Sequence, residues 1–426
     1  MSLTERDAKV IWHPYTQMLN ARTPTPIVSA KGTYLYDEDG RQYIDAVSSW
    51  WVILHGHSHP YIVERVTAQI QKLDQVIFAG FTHEPAIELA EKLLALLPSN
   101  QEKVFYTDNG STAIEVGLKM CLQYWYNKGE SRQKILAFNN AYHGDTFGAM
   151  SVSGRSAWTS PFNSLLFEVI FIDLPTKDNL SALKQRISAI KDDLACFIYE
   201  PLVQGSAGMI MYGAKELDEL MAHCRKNGVL MIQDEVFTGF GRTGKNFAAD
   251  YLDQEPDIMC FSKGLTGGTM PLGVTTCTKE IYNAFLSVDK LKTLFHGHSF
   301  TANPLACTAA SASIDLLLKQ ETQDQIEMIN CSHQGFANKL KSRKEKSYER
   351  VKEVRITGTL IAIELEAEGG SSYFSSIRDL LYDYFMENGI LMRPLGNVIY
   401  ILPPYCISSK DLIYIYQKIE GAFSII

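Results

Sequence analysis

Short apolar runs alternate with helical patterns through the middle of the chain. One helical pattern covers residues 214–228 and stops at Gly228. Its apolar positions fall at helical spacing: Leu217, Leu220, Met221 and Cys224. The apolar runs, each bounded by turn residues, predict buried strands: "KVFYTD" (103–108), "KILAFN" (134–139), "EVIFID" (168–173), "LACFIYE" (194–200), "VLMIQDE" (229–235) and "DIMCFSK" (257–263). Strands that alternate with helices predict an α/β domain whose mostly parallel central sheet is flanked by helices.

A second, smaller unit follows. From about Asn303 a long helical pattern begins, and the chain then mixes apolar runs in 351–366 and 390–404 with helical patterns in 377–389 and at its end. This mixture predicts a smaller α+β domain. A chain of 426 residues is long enough for two such units.

Composition narrows the choice of partners. The formal net charge is −8 and Lys and Arg form no long run, so no nucleic acid and no anionic membrane surface is expected as a partner. No window contains the about 20 apolar residues that a membrane span requires. Eight cysteines lie scattered without a CxxC pair, and the amino terminus is charged where a signal peptide is apolar. We therefore expect a reduced, cytoplasmic protein that acts on small molecules.

Three ionisable residues follow predicted strands directly. Glu200, Asp234 and Lys263 stand at the carboxyl ends of three apolar runs, and that edge of an open parallel sheet is where ligands bind. Each residue taken alone is more simply a solvated strand end. Together they favour a site, and Lys263 leads into the glycine-rich "GLTGGTMPLG".

An anion-binding site is predicted between a strand and a helix at "TDNGSTAIEVG" (107–117). Gly110 lets the backbone approach a ligand closely, and the free N–H groups of the helix start, with the Ser111 hydroxyl, are donors for a phosphate. The alternative is that Ser111 or Thr112 only caps the helix.

Two other motifs suggest different chemistry. "GFGRTG" (239–244) matches the dinucleotide-binding pattern, but no clear amphipathic helix follows, and Lys263 ends the next strand where a ribose-binding acid belongs. Arg242 within it is expected in a surface loop. "HGHSHP" (55–60) places three histidines on one face of an extended chain, as metal ligands can be, although no cysteine or acidic cluster accompanies them. We expect neither NAD nor a metal.

Pyridoxal 5′-phosphate (PLP) is the cofactor whose chemistry needs this combination. A lysine amine forms a Schiff base with its aldehyde and moves a proton, and a carboxylate keeps its pyridine nitrogen protonated. Lys263 and Asp234 suit these two tasks, and Tyr142 in "NAYHG" is placed to stack on the ring. In "SSWW" two adjacent indoles cannot both face inward from an extended segment, so one of Trp50 and Trp51 lines a site.

Four motifs in order carry a family resemblance: "AYHGDTFGAMSVSG", "QDEVFTGFGRTG", "SKGLTGG" and "HGHSFTANPLAC". Over nearly its whole length the chain resembles the class III (ω) aminotransferases of fold type I. Within that class, "WHPYTQM", "SSWW", "YEPLVQGSAGM" and "MRPLGNVIYILPPY" resemble the branch that serves biotin biosynthesis. That branch converts 8-amino-7-oxononanoate to 7,8-diaminononanoate, with S-adenosyl-L-methionine as the expected amino donor.

The resemblance implies roles for individual residues. The catalytic and cofactor-binding residues would be Lys263, Asp234, Tyr142, Gly110 and Ser111, with Ser299 reaching the phosphate from the second subunit of a homodimer. The substrate-binding residues would be Tyr15, Trp50, Trp51, Asp145 and Arg393. Residues 1–50 would contribute to the small domain and the active site, 51–305 would form the large PLP-binding domain, and 306–426 the small domain.

Two departures from the family pattern bear on these expectations. "HGHSF" stands where the family has "HGPTF", so Ser299 keeps the hydroxyl of a threonine and His298 replaces a proline. Ser206 stands where ornithine and γ-aminobutyrate aminotransferases have a gating glutamate, which favours the biotin branch. Another ω-aminotransferase activity on a diamine or an ω-amino acid, and lysine as the amino donor, remain as alternatives.

Overall fold

The computed structural model describes residues 1–343, 346–367 and 376–426. In chain order the strands are β1 (Ile27–Lys31), β2 (Tyr34–Asp37), β3 (Gln42–Asp45), β4 (Gln101–Thr107), β5 (Lys134–Phe138), β6 (Ile170–Ile172), β7 (Leu194–Tyr199), β8 (Val203–Gln204), β9 (Ile210–Met211), β10 (Leu230–Asp234), β11 (Ile258–Phe261), β12 (Gly273–Thr278), β13 (Val351–Thr357), β14 (Leu360–Leu365), β15 (Ile390–Leu391) and β16 (Val398–Ile401).

The α-helices are α1 (Leu3–Val10), α2 (Ser48–Trp51), α3 (Pro60–Lys72), α4 (Glu84–Leu94), α5 (Gly110–Asn127), α6 (Phe147–Val152), α7 (Leu180–Ile190), α8 (Ala214–Lys226), α9 (Lys279–Asn283), α10 (Pro304–Leu317), α11 (Gln320–Ser342), α12 (Ser376–Glu387) and α13 (Ser409–Ala422). Among the described residues no helix is both long and apolar enough to cross a bilayer.

A seven-stranded sheet forms the centre of the large unit, in the order β4-β12-β11-β10-β7-β5-β6. Its neighbours from β11 to β6 are parallel, whereas β12 runs antiparallel to both β11 and β4. The predicted mostly parallel sheet is therefore confirmed. The sequence analysis did not predict β12.

Helices cover both faces of this sheet. Alternate residues of β7 face opposite sides: Cys196 and Ile198 join a core with the buried side of α5, whereas Phe197 and Tyr199 join a second core with α7 and α8. This two-sided burial explains why the strands are continuous apolar runs in the sequence.

The smaller unit contains two sheets. The sheet β13-β14-β16 packs against α11, which also contacts α13. The second sheet has the order β1-β2-β3-β15, and α12 packs against its strand β15. In that second sheet β15 pairs in parallel with β3, so both ends of the chain build it. The predicted α/β fold with a smaller α+β unit is confirmed.

Candidate active site

A cavity of about 660 Å³ opens at the edge of the large sheet where the parallel strands end. The segments that follow β4, β5, β7, β10 and β11 line it, together with the segment that leads into the antiparallel β12. Most of the predicted site residues lie in its lining: Trp51, Gly110, Ser111, Tyr142, Asp145, Asp234 and Lys263.

Lys263 comes two residues after the end of β11 and has a left-handed backbone, with φ of 45°. Its Nζ lies over two aromatic rings, 4.6 Å from the centroid of Trp51 and 5.5 Å from that of Phe237. Burial lowers the pKa of this amine to about 8, and Asp234 and Glu200 oppose the shift in part. A neutral, nucleophilic amine is therefore accessible near neutral pH.

Asp234 is the last residue of β10, and only 4% of it is exposed. Its Oδ1 accepts a hydrogen bond from the Val236 N–H at 3.0 Å, and its Oδ2 lies 2.7 Å from His143 Nδ1. His143 was not predicted as a site residue, although it directly follows Tyr142 at the end of the same strand. The other ring nitrogen, Nε2, is buried and has no hydrogen-bond partner among the described residues.

The start of α5 supplies the predicted anion-binding groups. Asn109 is the capping residue, since its Oδ1 accepts from the Thr112 N–H at 3.0 Å. The simple alternative is wrong for Ser111, but Thr112 does take part in the cap, because its hydroxyl accepts from the Asn109 N–H at 3.2 Å. The Ser111 hydroxyl instead accepts from the Asp145 N–H at 3.2 Å and faces the cavity.

Gly110 allows the start of α5 to approach the end of β10. A Cβ at this position would lie 2.9 Å from Val236 Cγ1, closer than side-chain carbons tolerate. The N–H groups of the first turn of α5 have no intrahelical acceptors and carry the positive end of the helix dipole, so an anion is stabilised there.

Tyr142 is held by a buried carboxylate. The N–H of Tyr142 donates to Glu200 Oε1 at 3.0 Å, and the N–H of Gly205 donates to Oε2 at 3.1 Å. Burial raises the pKa of Glu200 to about 7. Glu200, predicted from its strand end, thus fixes the backbone of two segments that line the cavity, and Ser206 of the second segment also lines it.

The other three predicted substrate residues are not in the lining of the cavity, but they form a connected group beside the lining residues Asp145 and Tyr142. The Tyr15 hydroxyl donates to Asp145 Oδ2 at 2.5 Å and lies 3.4 Å from the Tyr142 hydroxyl. The ring of Tyr15 packs edge-on against Trp50, with centroids 5.7 Å apart. The Arg393 guanidinium stacks over Trp50 at 4.8 Å.

The two indoles point in different directions because their segment turns sharply. Ser48, Ser49 and Trp51 all have positive φ, between 52° and 67°. The segment is therefore not extended, so the expectation of an extended segment is wrong. Trp51 is 5% exposed and lines the cavity beside Lys263, whereas Trp50 is 40% exposed.

Ser299 is the one predicted cofactor ligand that is not in the lining of this chain's cavity. It is exposed, and its carbonyl accepts from Gln75 Nε2 at 2.7 Å. The neighbouring His298 accepts from the Phe300 N–H through Nδ1 at 3.2 Å.

The two competing motifs have structural roles. Arg242 of "GFGRTG" is only 2% exposed, so the expectation of a surface loop is wrong; it donates to the carbonyls of Ile53 and Pro403. Of the three histidines, His55 bonds Ser313 while His57 bonds Asp45. No three His, Cys, Asp or Glu side chains converge as a metal site anywhere in the described ranges.

These residues fit PLP on three counts. The cavity holds a buried carboxylate at Asp234, an amine of lowered pKa at Lys263, and a helix start whose side-chain-free Gly110 exposes backbone donors. The positive end of a helix suits a phosphate, the carboxylate suits a protonated pyridine nitrogen, and the amine suits an aldehyde.

Comparison with known proteins agrees with this geometry. The sequence profile of the family "Aminotransferase class-III" matches residues 16–423. The adenosylmethionine-8-amino-7-oxononanoate aminotransferase of Synechococcus elongatus is 45% identical over 421 residues, which are 96% of this chain and 97% of that protein.

Solved structures are similar over the same span. The crystal structure of the adenosylmethionine-8-amino-7-oxononanoate aminotransferase from Methanocaldococcus jannaschii has a TM-score of 0.93 at 37% identity, with 99% of this chain and 98% of that chain covered. A PLP-bound amine transaminase from an uncultivated Pseudomonas species has a TM-score of 0.90 at 28% identity, with 97% and 98% covered.

Proposed function

Because the chain belongs to the class III aminotransferases, we propose that it is a PLP-dependent enzyme that aminates 8-amino-7-oxononanoate. The product is 7,8-diaminononanoate, an intermediate of biotin biosynthesis, and the amino donor is S-adenosyl-L-methionine. One observation carries the proposal: Lys263, Asp234 and the start of α5 meet in a single cavity. Two relatives that are similar over nearly their full length are named for this reaction, and they support 8-amino-7-oxononanoate as the amino acceptor.

Each part of the cavity has a task toward the cofactor. PLP, when bound, supplies an aldehyde that captures amines and a ring that withdraws electrons. Asp234, held by His143 at 2.7 Å, would face the pyridine nitrogen from the lining of the cavity. Gly110 and Ser111 would bind the phosphate through the N–H groups and hydroxyl of the α5 start. Tyr142 would be the aromatic residue that stacks on the ring.

Lys263 is the residue that would act as the general base, with its Nζ accepting and returning the proton of the bound substrate. A general base works best when its pKa lies near the working pH, and burial brings the pKa of Lys263 to about 8. The aromatic rings of Trp51 and Phe237 surround its amine and exclude water from it.

Arg393 binds the carboxylate that both substrates carry. A guanidinium forms a bidentate pair with a carboxylate, and the Arg393 Cζ lies 4.8 Å from the centroid of Trp50, a cation–π contact that helps to hold it in place. Trp50 and Tyr15 also offer π-faces to the sulfonium cation and adenine of the donor. The two substrates take turns at this one group of side chains.

The quaternary structure is part of the proposal. The enzyme is a homodimer with active sites at its interface, and Ser299 binds the phosphate in the partner's site. Its exposure, and its absence from the lining of its own chain's cavity, support this role. Residues 1–50 and 306–426 form the small domain around the PLP-binding domain of 51–305, and the enzyme works in the cytoplasm.

A donor panel tests the function. Purified enzyme is given 8-amino-7-oxononanoate and one of four donors: S-adenosyl-L-methionine, lysine, ornithine or γ-aminobutyrate, and 7,8-diaminononanoate is measured by mass spectrometry. Turnover with S-adenosyl-L-methionine is expected. Turnover with lysine alone would correct the donor. Amino transfer from ornithine or γ-aminobutyrate to a keto acid, with no 7,8-diaminononanoate from any donor, would overturn the proposal.

A further inference from the structure

The sharp turn that carries both indoles, residues 47–52, is held in an unusual conformation. Ser48, Ser49 and Trp51 all have positive φ, which side chains other than glycine rarely adopt. Such a backbone persists only where the surroundings over-determine it. We call these residues the indole turn.

Asp45 provides three of the hydrogen bonds that fix the indole turn, and the Ser48 hydroxyl adds another by donating to the Leu402 carbonyl at 2.7 Å. Asp45 is the last residue of β3 and is completely buried. Its Oδ1 accepts from the Ser49 N–H at 2.8 Å and the Val47 N–H at 3.3 Å, and its Oδ2 accepts from the Ser49 hydroxyl at 3.1 Å. One carboxylate therefore bonds the start of the turn three times.

His57 fixes that carboxylate in turn. Its Nε2 lies 2.9 Å from Asp45 Oδ2 and donates to it. The backbone of His57 is itself anchored, because it exchanges two hydrogen bonds with Gly32, of 2.8 and 3.0 Å, beside β1 and β2. The imidazole thus ties the carboxylate that holds the indole turn to the backbone between β1 and β2.

The indole turn sets the positions of two indoles that contact different groups of predicted site residues. Trp51 donates from Nε1 to the Tyr400 hydroxyl at 3.0 Å and packs beside the Lys263 amine. Trp50 instead packs against Tyr15, and the Arg393 guanidinium lies over its ring. A change in the turn would move Trp50, and with it the surface on which the Arg393 guanidinium rests.

We propose that Asp45 and His57 are positioning residues for the substrate carboxylate. By fixing the indole turn, the pair sets the place of Trp50 and therefore of Arg393. Neither Asp45 nor His57 is in the lining of the cavity, so both act through other residues. The inference rests on the proposed function, since it assigns Arg393 the carboxylate.

The test compares three variants of the holoenzyme. His57→Phe removes the donor and keeps a ring, Ser49→Ala removes one contact of Asp45, and His57→Gln restores a side-chain N–H. The KM for 8-amino-7-oxononanoate is expected to rise roughly tenfold in His57→Phe, the size expected for one hydrogen bond to a charged group. Ser49→Ala should raise it less, and His57→Gln should return it toward the wild-type value. The kcat and the visible absorbance of bound PLP should change little.

A matched control is His223→Phe. His223 makes a hydrogen bond of the same length, 2.9 Å to Ser188, but it joins α8 to α7 away from the cavity. Its removal should leave the KM unchanged.

Two results would overturn the inference. One is an unchanged KM in a folded His57→Phe variant. The other is an equal loss of kcat and of PLP absorbance in both His57→Phe and His57→Gln, because a purely structural role would give that result. If instead the wild type binds PLP but makes no 7,8-diaminononanoate, the proposed function fails. In that case the affinity of the holoenzyme for nonanoate, measured by calorimetry, still tests the pair: a roughly tenfold weaker affinity in His57→Phe would support it, and an unchanged affinity would overturn it.

Discussion

Lys263 differs from an ordinary lysine because of what surrounds its amine. Two aromatic rings lie over it, and burial lowers its pKa to about 8 from the usual 10.5. Removal from water destabilises the ammonium form more than the neighbouring carboxylates stabilise it. The reactivity of this side chain is therefore a property of the cavity.

The first prediction concerns the pH dependence of cofactor capture. Because only the neutral amine attacks an aldehyde, the rate at which the apoenzyme takes up PLP should rise with pH and level off above about pH 8. Stopped-flow absorbance at visible wavelengths between pH 6.5 and 9.5 measures it. A rate that still climbs tenfold per pH unit at pH 9.5 would show an unshifted lysine. Lys263→Ala, as a control, should give no visible band.

At single positions, the sequence brought out Lys263 and Asp234, which the structure places in one cavity, but not the residues that contact them. Lys263 and Asp234 stand at the carboxyl ends of predicted parallel strands, where ligands bind, so the sequence pattern alone predicted that they lie at one edge of the sheet. The family resemblance is confirmed by the comparisons. The bond from His143 to Asp234 was not predicted, because it joins two strands whose neighbourhood depends on the order of the sheet.

At the scale of elements, the start of α5 depends on a glycine. The second prediction is that Gly110→Ala weakens PLP affinity about tenfold, because its Cβ would lie 2.9 Å from Val236 Cγ1 and push the helix start away. Fluorescence titration of the apoenzyme measures the affinity.

Val236→Ala provides the matched control for that helix. In Gly110→Ala/Val236→Ala the clash is absent, so part of the affinity should return, while Val236→Ala alone should have a smaller effect than Gly110→Ala. Equal affinity in wild type and Gly110→Ala would contradict the close approach.

Strand β12 shows why one element was missed. Its sequence "GVTTCT" is rich in threonine and lies after a glycine-rich loop, which is typical of an exposed turn. Yet Thr275 and Thr276 are fully buried. The Thr275 hydroxyl donates to the Ala113 carbonyl at 2.7 Å, and the Thr276 hydroxyl donates to Gln101 Oε1 at 2.6 Å. Buried hydroxyls with acceptors are tolerated in a core, and those acceptors come from distant segments.

At the scale of the molecule, the third prediction concerns acid stability. His333 of α11 is fully buried; its Nδ1 lies 2.7 Å from the Tyr416 hydroxyl and its Nε2 donates to the Thr359 carbonyl at 3.1 Å. Burial lowers its pKa to about 4. The unfolded chain takes up a proton near pH 6.5 and the folded chain does not, so stability falls as pH drops below that value.

The measurement compares wild type with His333→Gln, which keeps a donor and an acceptor but does not titrate. Urea denaturation should show the variant less stable at pH 7.5, with the gap narrowing by about 2 kcal/mol at pH 5. His55, whose pKa burial lowers to about 3, titrates equally in both proteins and cancels. A gap that is constant with pH would refute the assignment.

The last prediction tests whether two chains complete each active site. Lys263→Ala removes the amine of a chain's own site, whereas Ser299→Asp places a negative charge against the phosphate of the partner's site, so each variant alone should be inactive. In a mixed dimer both defects fall in one site and the other site is intact. Co-expression at equal levels should therefore restore about a quarter of the wild-type sites.

The control for this mixing experiment is Lys263→Ala with Asp234→Asn. Both substitutions act on the site of the chain that carries them, so every site of a mixed dimer keeps one defect and no activity should return. Recovery in the first pair and not in the second assigns Ser299 to the partner's phosphate, in agreement with its exposure here. If Ser299→Asp is inactive alone and the mixture stays inactive, the serine acts within its own chain, and the interface site must be rejected.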